Sequence, residues 1–142
     1  MKRMALPLLL LFSGAALAQN APSSAVSSIA KTSVFAFGGV GFAGFTSQGE
    51  KDSRVILNQP PDVALQSFER IYATGNLEAK SYALAGIHQL DEKRFKELLA
   101  SLKGPEELVI TMRGCIMEKQ TIAEVAKETQ SGQFDYWINR PR

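Results

Sequence analysis

The chain has 142 residues, with 16 Lys+Arg against 14 Asp+Glu, one histidine and one cysteine. A single cysteine excludes an internal disulfide, and one Cys with one His excludes a zinc cluster of the usual kind. No basic patch or stripe stands out, which excludes the electrostatic footprint of a nucleic-acid binder.

The first residues read MKRMALPLLLLFSGAALAQNA. Lys2 and Arg3 form a basic start, Met4 to Phe12 an apolar run broken only by Pro7, and Ala16-Leu17-Ala18 a small-residue cleavage site. This is the tripartite pattern of a secretory signal peptide, with the cut expected after Ala18 and the periplasm or exterior as destination. The apolar run is short of the about 20 residues needed to span a bilayer. The cysteine that a lipid anchor would need is missing from this site. Removing Lys2 and Arg3 from the 16 basic residues leaves 14 against 14 acidic ones, so the mature chain is formally neutral. Removing 18 residues from 142 leaves 124, enough for one domain with its own core.

Residues 19–33, QNAPSSAVSSIAKTS, are rich in Ser and Ala and read as a flexible leader. Residues 34–142 then form a single helical domain with an aromatic C-terminal tail. It opens on FAFGGVGFAGF at residues 35–45, where Gly39-Val40-Gly41-Phe42-Ala43-Gly44 matches the G-x-G-x-x-G of dinucleotide-binding loops. Such a loop requires a helix immediately after it and an acid on a second strand about 20 residues on. Here the next cap signal, Ser47, comes late, and Pro60-Pro61 stands where that second strand would end. A cofactor is therefore not expected. The glycines instead permit tight turning between large rings, in a hairpin with its turn near Gly38 to Gly41 or in an irregular apolar loop.

Ser47-Gln48-Gly49-Glu50 has capping-box spacing and opens a helix running to about Asn58, with Val55 and Ile56 inward. Pro60-Pro61-Asp62 starts the next, in which Leu65, Phe68, Ile71 and Tyr72 share one face. Gly75 suits a helix end and Asn76 a new cap. The helix that follows carries Leu77, Ala83, Leu84, Ile87 and Leu90. Asp91 caps another, with Phe95, Leu98, Leu99 and Leu102 inward and Gly104-Pro105 closing it. Connections this short make antiparallel neighbours. The fold expected is mainly α: a small bundle or HEAT-like stack of about five short helices, with an N-terminal Gly/Phe-rich hairpin or loop.

Residues 105–117 divide the signals. Val109-Ile110-Thr111 argues for a strand; Pro105 followed by Glu106-Glu107 argues for a helix start. A helix kinked at Gly114 is the favoured reading. Cys115, among apolar neighbours, reads as packed and inert, with pairing between chains or a reactive thiol as alternatives. Thr121-Ile122-Ala123-Glu124 is a second capping box, opening a helix that Gly132 ends. The tail QFDYWINRPR is dense in aromatic groups and is expected to dock on the body, a partner-binding tail being the alternative.

FAFGGVGFAGFTSQGE, SYALAGIHQLD and TMRGCI together resemble a family of small exported bacterial proteins of unknown role, some associated with microcin gene clusters. The resemblance covers Val34 to Gln130. It implies no known reaction and carries over no catalytic residue. Members of that family often have a cysteine after the YAL segment, able to pair with the GC cysteine; here Ala85 follows Leu84, so that bridge is missing.

His88, with Asp91 and Glu92 at i+3 and i+4, reads as a surface histidine near a helix end rather than an acid–base couple. The pattern names no catalytic residue and no metal ligand. The candidate interaction surface is aromatic: Phe35, Phe37, Phe42, Phe45, Tyr136 and Trp137. The function expected is a non-enzymatic protein-interaction or accessory module of the envelope, immunity-like by resemblance, with an envelope protein as partner. The alternative is a small periplasmic hydrolase with a carboxylate-based site.

Overall fold

A computed structural model describes residues 20–141, with side chains from residue 22 onward. The proposed signal segment, 1–18, lies outside the described residues. The elements in chain order are α1 (Asn20–Ala30), β1 (Gly39–Val40), β2 (Phe45–Thr46), α2 (Gln48–Leu57), α3 (Pro61–Thr74), α4 (Leu77–Leu90), α5 (Glu92–Ala100), β3 (Leu108–Arg113), β4 (Ile116–Thr121), α6 (Ile122–Gln130) and α7 (Asp135–Ile138). The fold is mainly helical, with two small antiparallel hairpins, β1–β2 and β3–β4.

The architecture is a bundle around α4. This helix packs against α1, α2, α3, α5, α6 and β3. A HEAT-like stack, in which each helix pair meets only the next, is not what forms. The sequence of α4, LEAKSYALAGIHQL, explains why it can be central. Ala79, Ser81, Ala83, Ala85 and Gly86 are small and buried, so neighbours approach from every side, while Tyr82, Leu84 and Ile87 fill the gaps. At Gly86 an added Cβ would overlap the ring of Phe68, so α3 and α4 meet backbone to ring.

The caps expected from sequence form. Ser47, Asn76 and Asp91 each accept a backbone N–H in the first turn of α2, α4 and α5. Thr121 and Glu124 close a full capping box on α6, and these backbone and hydroxyl hydrogen bonds hold the Glu124 carboxyl below its usual range. At α2 only half the box forms, because Glu50 is used elsewhere. The core gathers Ile56, Phe68, Ile71, Tyr82, Leu84, Ile87, Phe95, Val109, Ile122 and Val125. The tail docks: Phe134 and Ile138 belong to this core.

Two expectations are corrected. The segment read as a flexible leader contains α1, which packs along α2 and buries Ala25 and Ile29. Its Ser/Ala composition is compatible with helix, and the i, i+4 apolar pair supplies the face that tertiary packing fixes. The segment 105–117 is not a helix. β3 and β4 pair antiparallel from Leu108↔Thr121 to Arg113↔Ile116. Val109 and Thr111 alternate inward while Gly114, at φ +56°, occupies the first turn position, as a type II′ hairpin needs. Period-two burial and a turn glycine outweighed the Pro-Glu-Glu start signal.

Candidate functional site

The chain between α1 and α2 forms an arch over β3. Phe35 N–H donates to Ile110 O at 2.8 Å, and Met112 N–H donates to Phe35 O at 3.0 Å, so the arch begins as a parallel neighbour of β3. The next residues are clamped from beneath. Ala36 N–H donates to the Tyr82 hydroxyl at 2.9 Å, and its carbonyl accepts from Tyr82 at 2.9 Å and from Ser47 Oγ at 2.7 Å. Gly38 N–H donates to Glu50 Oε2 at 2.8 Å. Arg54 pairs with the other Glu50 oxygen and donates to the carbonyl of Trp137, tying the tail to the arch.

Glu50 is therefore a buried structural carboxylate. Burial pushes its carboxyl above the usual range, opposed by the Gly38 N–H and by Arg54. A perturbed acid in a cleft is a reason to consider catalysis, but both oxygens of Glu50 are occupied by the clamp.

Beyond the clamp the arch turns. Gly39↔Thr46 and Val40↔Phe45 pair, and Gly44 N–H donates to Gly41 O at 3.1 Å across the turn. The turn is at Gly41 to Gly44, about three residues later than expected from sequence. Gly41 and Gly44 have φ of +71° and +64°, a region unfavourable to other residues. The G-x-G-x-x-G glycines thus shape an antiparallel hairpin, whereas a dinucleotide loop leads from a strand into a helix.

Gly41 N–H also donates to Gly114 O at 2.9 Å, and Val40 bridges Gly114. The tips of both hairpins, over seventy residues apart in sequence, are fixed side by side. Phe42 is fully exposed, and Phe45, Ile116 and Met117 are each more than half exposed. From Gly38 to Ser47, and from Gly114 to Met117, neither tip contains a charged residue. The double tip is a projecting apolar surface.

Behind it lies a cleft of 260 Å³ walled by Phe35, Phe37, Phe134 and Trp137, with Thr111 and Gln120 on the β3–β4 side. Thr111 Oγ1 and Gln120 Oε1 are buried without a hydrogen-bond partner among the described residues.

The aromatic residues nominated from sequence therefore separate. Phe35 and Phe37 are buried and belong to the core, Phe35 meeting Tyr82 and Phe134 edge to face and Phe37 meeting Tyr82 in the same way. Phe42, Phe45 and Tyr136 are exposed, and Trp137 is half-buried against the cleft. Spacing alone did not separate the two pairs: the arch turns between them. Ile116 and Met117 were missed because their segment was read as helix; the alternation at Val109 and Thr111, with Gly114 between two apolar runs, was the available signal.

Cys115 is exposed in the β3–β4 turn, which corrects the packed reading. His88 packs edge-on against Phe95, and its Nδ1 is 3.6 Å from Asp135 Oδ1, an acid supplied by α7 rather than by its own helix. Among the described residues, no group of three His, Cys, Asp or Glu side chains is placed to hold a metal ion. No helix among them is long and apolar enough to cross a membrane. Compared with protein-family models, curated proteins and solved structures, the chain matches none.

Proposed function

We propose that this is an exported bacterial envelope protein that acts by binding a protein partner, an accessory or immunity-like module and not an enzyme. The observation that carries the reading is the uncharged double tip. Leaving four large apolar side chains in water forgoes about 1.5–3 kcal/mol for each one that a partner would cover. Aromatic anchors of this kind dominate protein interfaces when a pocket receives them. Export rests on the signal pattern of residues 1–18, and the immunity-like role on the resemblance to microcin-associated exported proteins.

The test is capture from periplasmic extract with tagged wild type and with a Phe42→Ser/Phe45→Ser variant. A protein recovered by the wild type and lost with the variant is the expected result. Equal recovery by both would place the interface elsewhere, and capture of nothing specific by either would remove the binding role. The same periplasmic material should show an intact mass beginning at Gln19; a mass retaining residues 1–18 would overturn export by cleavage.

A further inference from the structure

A second recess lies on another part of the molecule, where α3, α4 and the end of α5 converge on the start of α6. It has a volume of 440 Å³, within the range of small-ligand pockets. Tyr72, Leu98, Leu102 and Ile122 give it an apolar lining. Leu98 and Ile122 are buried and Tyr72 and Leu102 half-buried, so the apolar part of the recess is continuous with the core, and polar side chains complete the lining.

The charges around it are unbalanced. Glu69 is the one acid in the lining, and Arg94 takes it at 2.7 Å while also pairing with Glu97. Lys80 and Lys103 also line the recess, and the ammonium group of neither makes an ion pair or a hydrogen bond with the described residues. Two uncompensated ammonium groups therefore stand over an apolar recess whose only carboxylate is already engaged.

We infer that this recess binds a free single-chain amphipathic carboxylate, its hydrocarbon against Tyr72, Leu98 and Leu102 and its head between Lys80 and Lys103. Charge complementarity selects the sign of the head group, because a cationic head would meet two like charges with no free acid. The concave shape and modest volume select a single chain in place of a bilayer surface, which needs a projecting element to insert. The inference is independent of the double tip and of any partner there.

The test uses the mature protein and decanoate below its micelle concentration, with binding read by calorimetry and by amide shifts. Acetate provides the head without the chain, and decyltrimethylammonium the chain with the opposite head. Decanoate should bind, with shifts confined to α3, α4, α5 and the start of α6, and both controls should bind far more weakly. Lys80→Gln/Lys103→Gln should weaken decanoate at least about tenfold with an unchanged circular dichroism spectrum, since both side chains are outside the core. Ala73→Trp, which fills the recess from its exposed rim without removing a charge, should block binding. Equal affinity for decyltrimethylammonium, or decanoate binding indifferent to both variants, overturns the inference. Binding to phosphatidylglycerol vesicles without binding to decanoate overturns it as well, in favour of a membrane surface.

Discussion

The hydroxyl of Tyr82 and the backbone of Ala36 form a reciprocal pair of hydrogen bonds, accepting from the N–H at 2.9 Å and donating to the carbonyl at 2.9 Å across 46 residues of sequence. The contact lets a side chain of the central helix stand in for a neighbouring strand at the one place where the arch leaves β3. Beyond it the arch is held by the Glu50–Gly38 bond and, at the β1–β2 tip, by the bond from Gly41 to Gly114.

Tyr82→Phe should therefore destabilise the fold by about 1–3 kcal/mol, because the ring still fits but the buried Ala36 N–H loses its acceptor. Its pH dependence is the sharper measurement. Burial pushes the Tyr82 hydroxyl up to about 12, from 10.0. A group raised in the folded state contributes stability that is complete below its unfolded value and lost as pH rises through the folded one. Wild type should thus lose roughly 1 kcal/mol between pH 9 and pH 11 that Tyr82→Phe does not lose. Denaturant midpoints at the two pH values decide it; parallel losses in both proteins would show that the hydroxyl is not the responsible group.

Two glycines should respond to alanine for different reasons. At Gly86 a Cβ overlaps the Phe68 ring, whereas at Gly41 nothing lies within 4 Å and only the φ of +71° is at stake. Gly41→Ala should cost roughly 1–2 kcal/mol of backbone strain, and Gly86→Ala roughly 1–3 kcal/mol of overpacking. The double-mutant cycle separates them. Phe68→Leu should relieve part of the Gly86→Ala cost, giving a coupling of at least about 0.5 kcal/mol, while its combination with Gly41→Ala should be additive. Additivity in both cycles would place the α3–α4 contact wrongly.

Leu84 is fully buried at the centre of α4, and Leu108 is more than half exposed at the start of β3. Leu84→Ala should cost about 2–5 kcal/mol, and Leu108→Ala should stay within about 0.5 kcal/mol of wild type. Chemical denaturation of both variants is the measurement. An unchanged midpoint for Leu84→Ala would mean that α4 is not the centre of the bundle.

Cys115 should react with a water-soluble thiol reagent in the native protein, to one label per chain and without denaturant, because its turn leaves it exposed. Labelling that appears only on unfolding would restore the packed reading. Purification without reductant should likewise give a fraction of disulfide-linked pairs, visible on a non-reducing gel.

Local chemistry was enough to define most helices. Ser47, Asn76, Asp91 and Thr121 each carry an oxygen at the right distance from a free N–H, and this holds whatever surrounds them. The apolar stripes of α3 and α5 likewise follow from spacing alone. Where the contacts are remote, the chain by itself gave no answer. Residues 20–30 carry no strong signal, and their helix depends on α2 as a surface to bury Ala25 and Ile29. Residues 108–117 have mixed propensity, and the strand prevails because β3 pairs along its length with β4 and buries Val109 and Thr111, with Phe35 as a further backbone neighbour. The division of the phenylalanines is of the same kind. Phe35 and Phe37 resemble Phe42 and Phe45 in every local respect. The β3 neighbour of Phe35 and the clamp by Tyr82 and Glu50 place the first pair in the core, while the second pair stays in water, since burial is a property of the assembled packing and not of any residue's immediate neighbours.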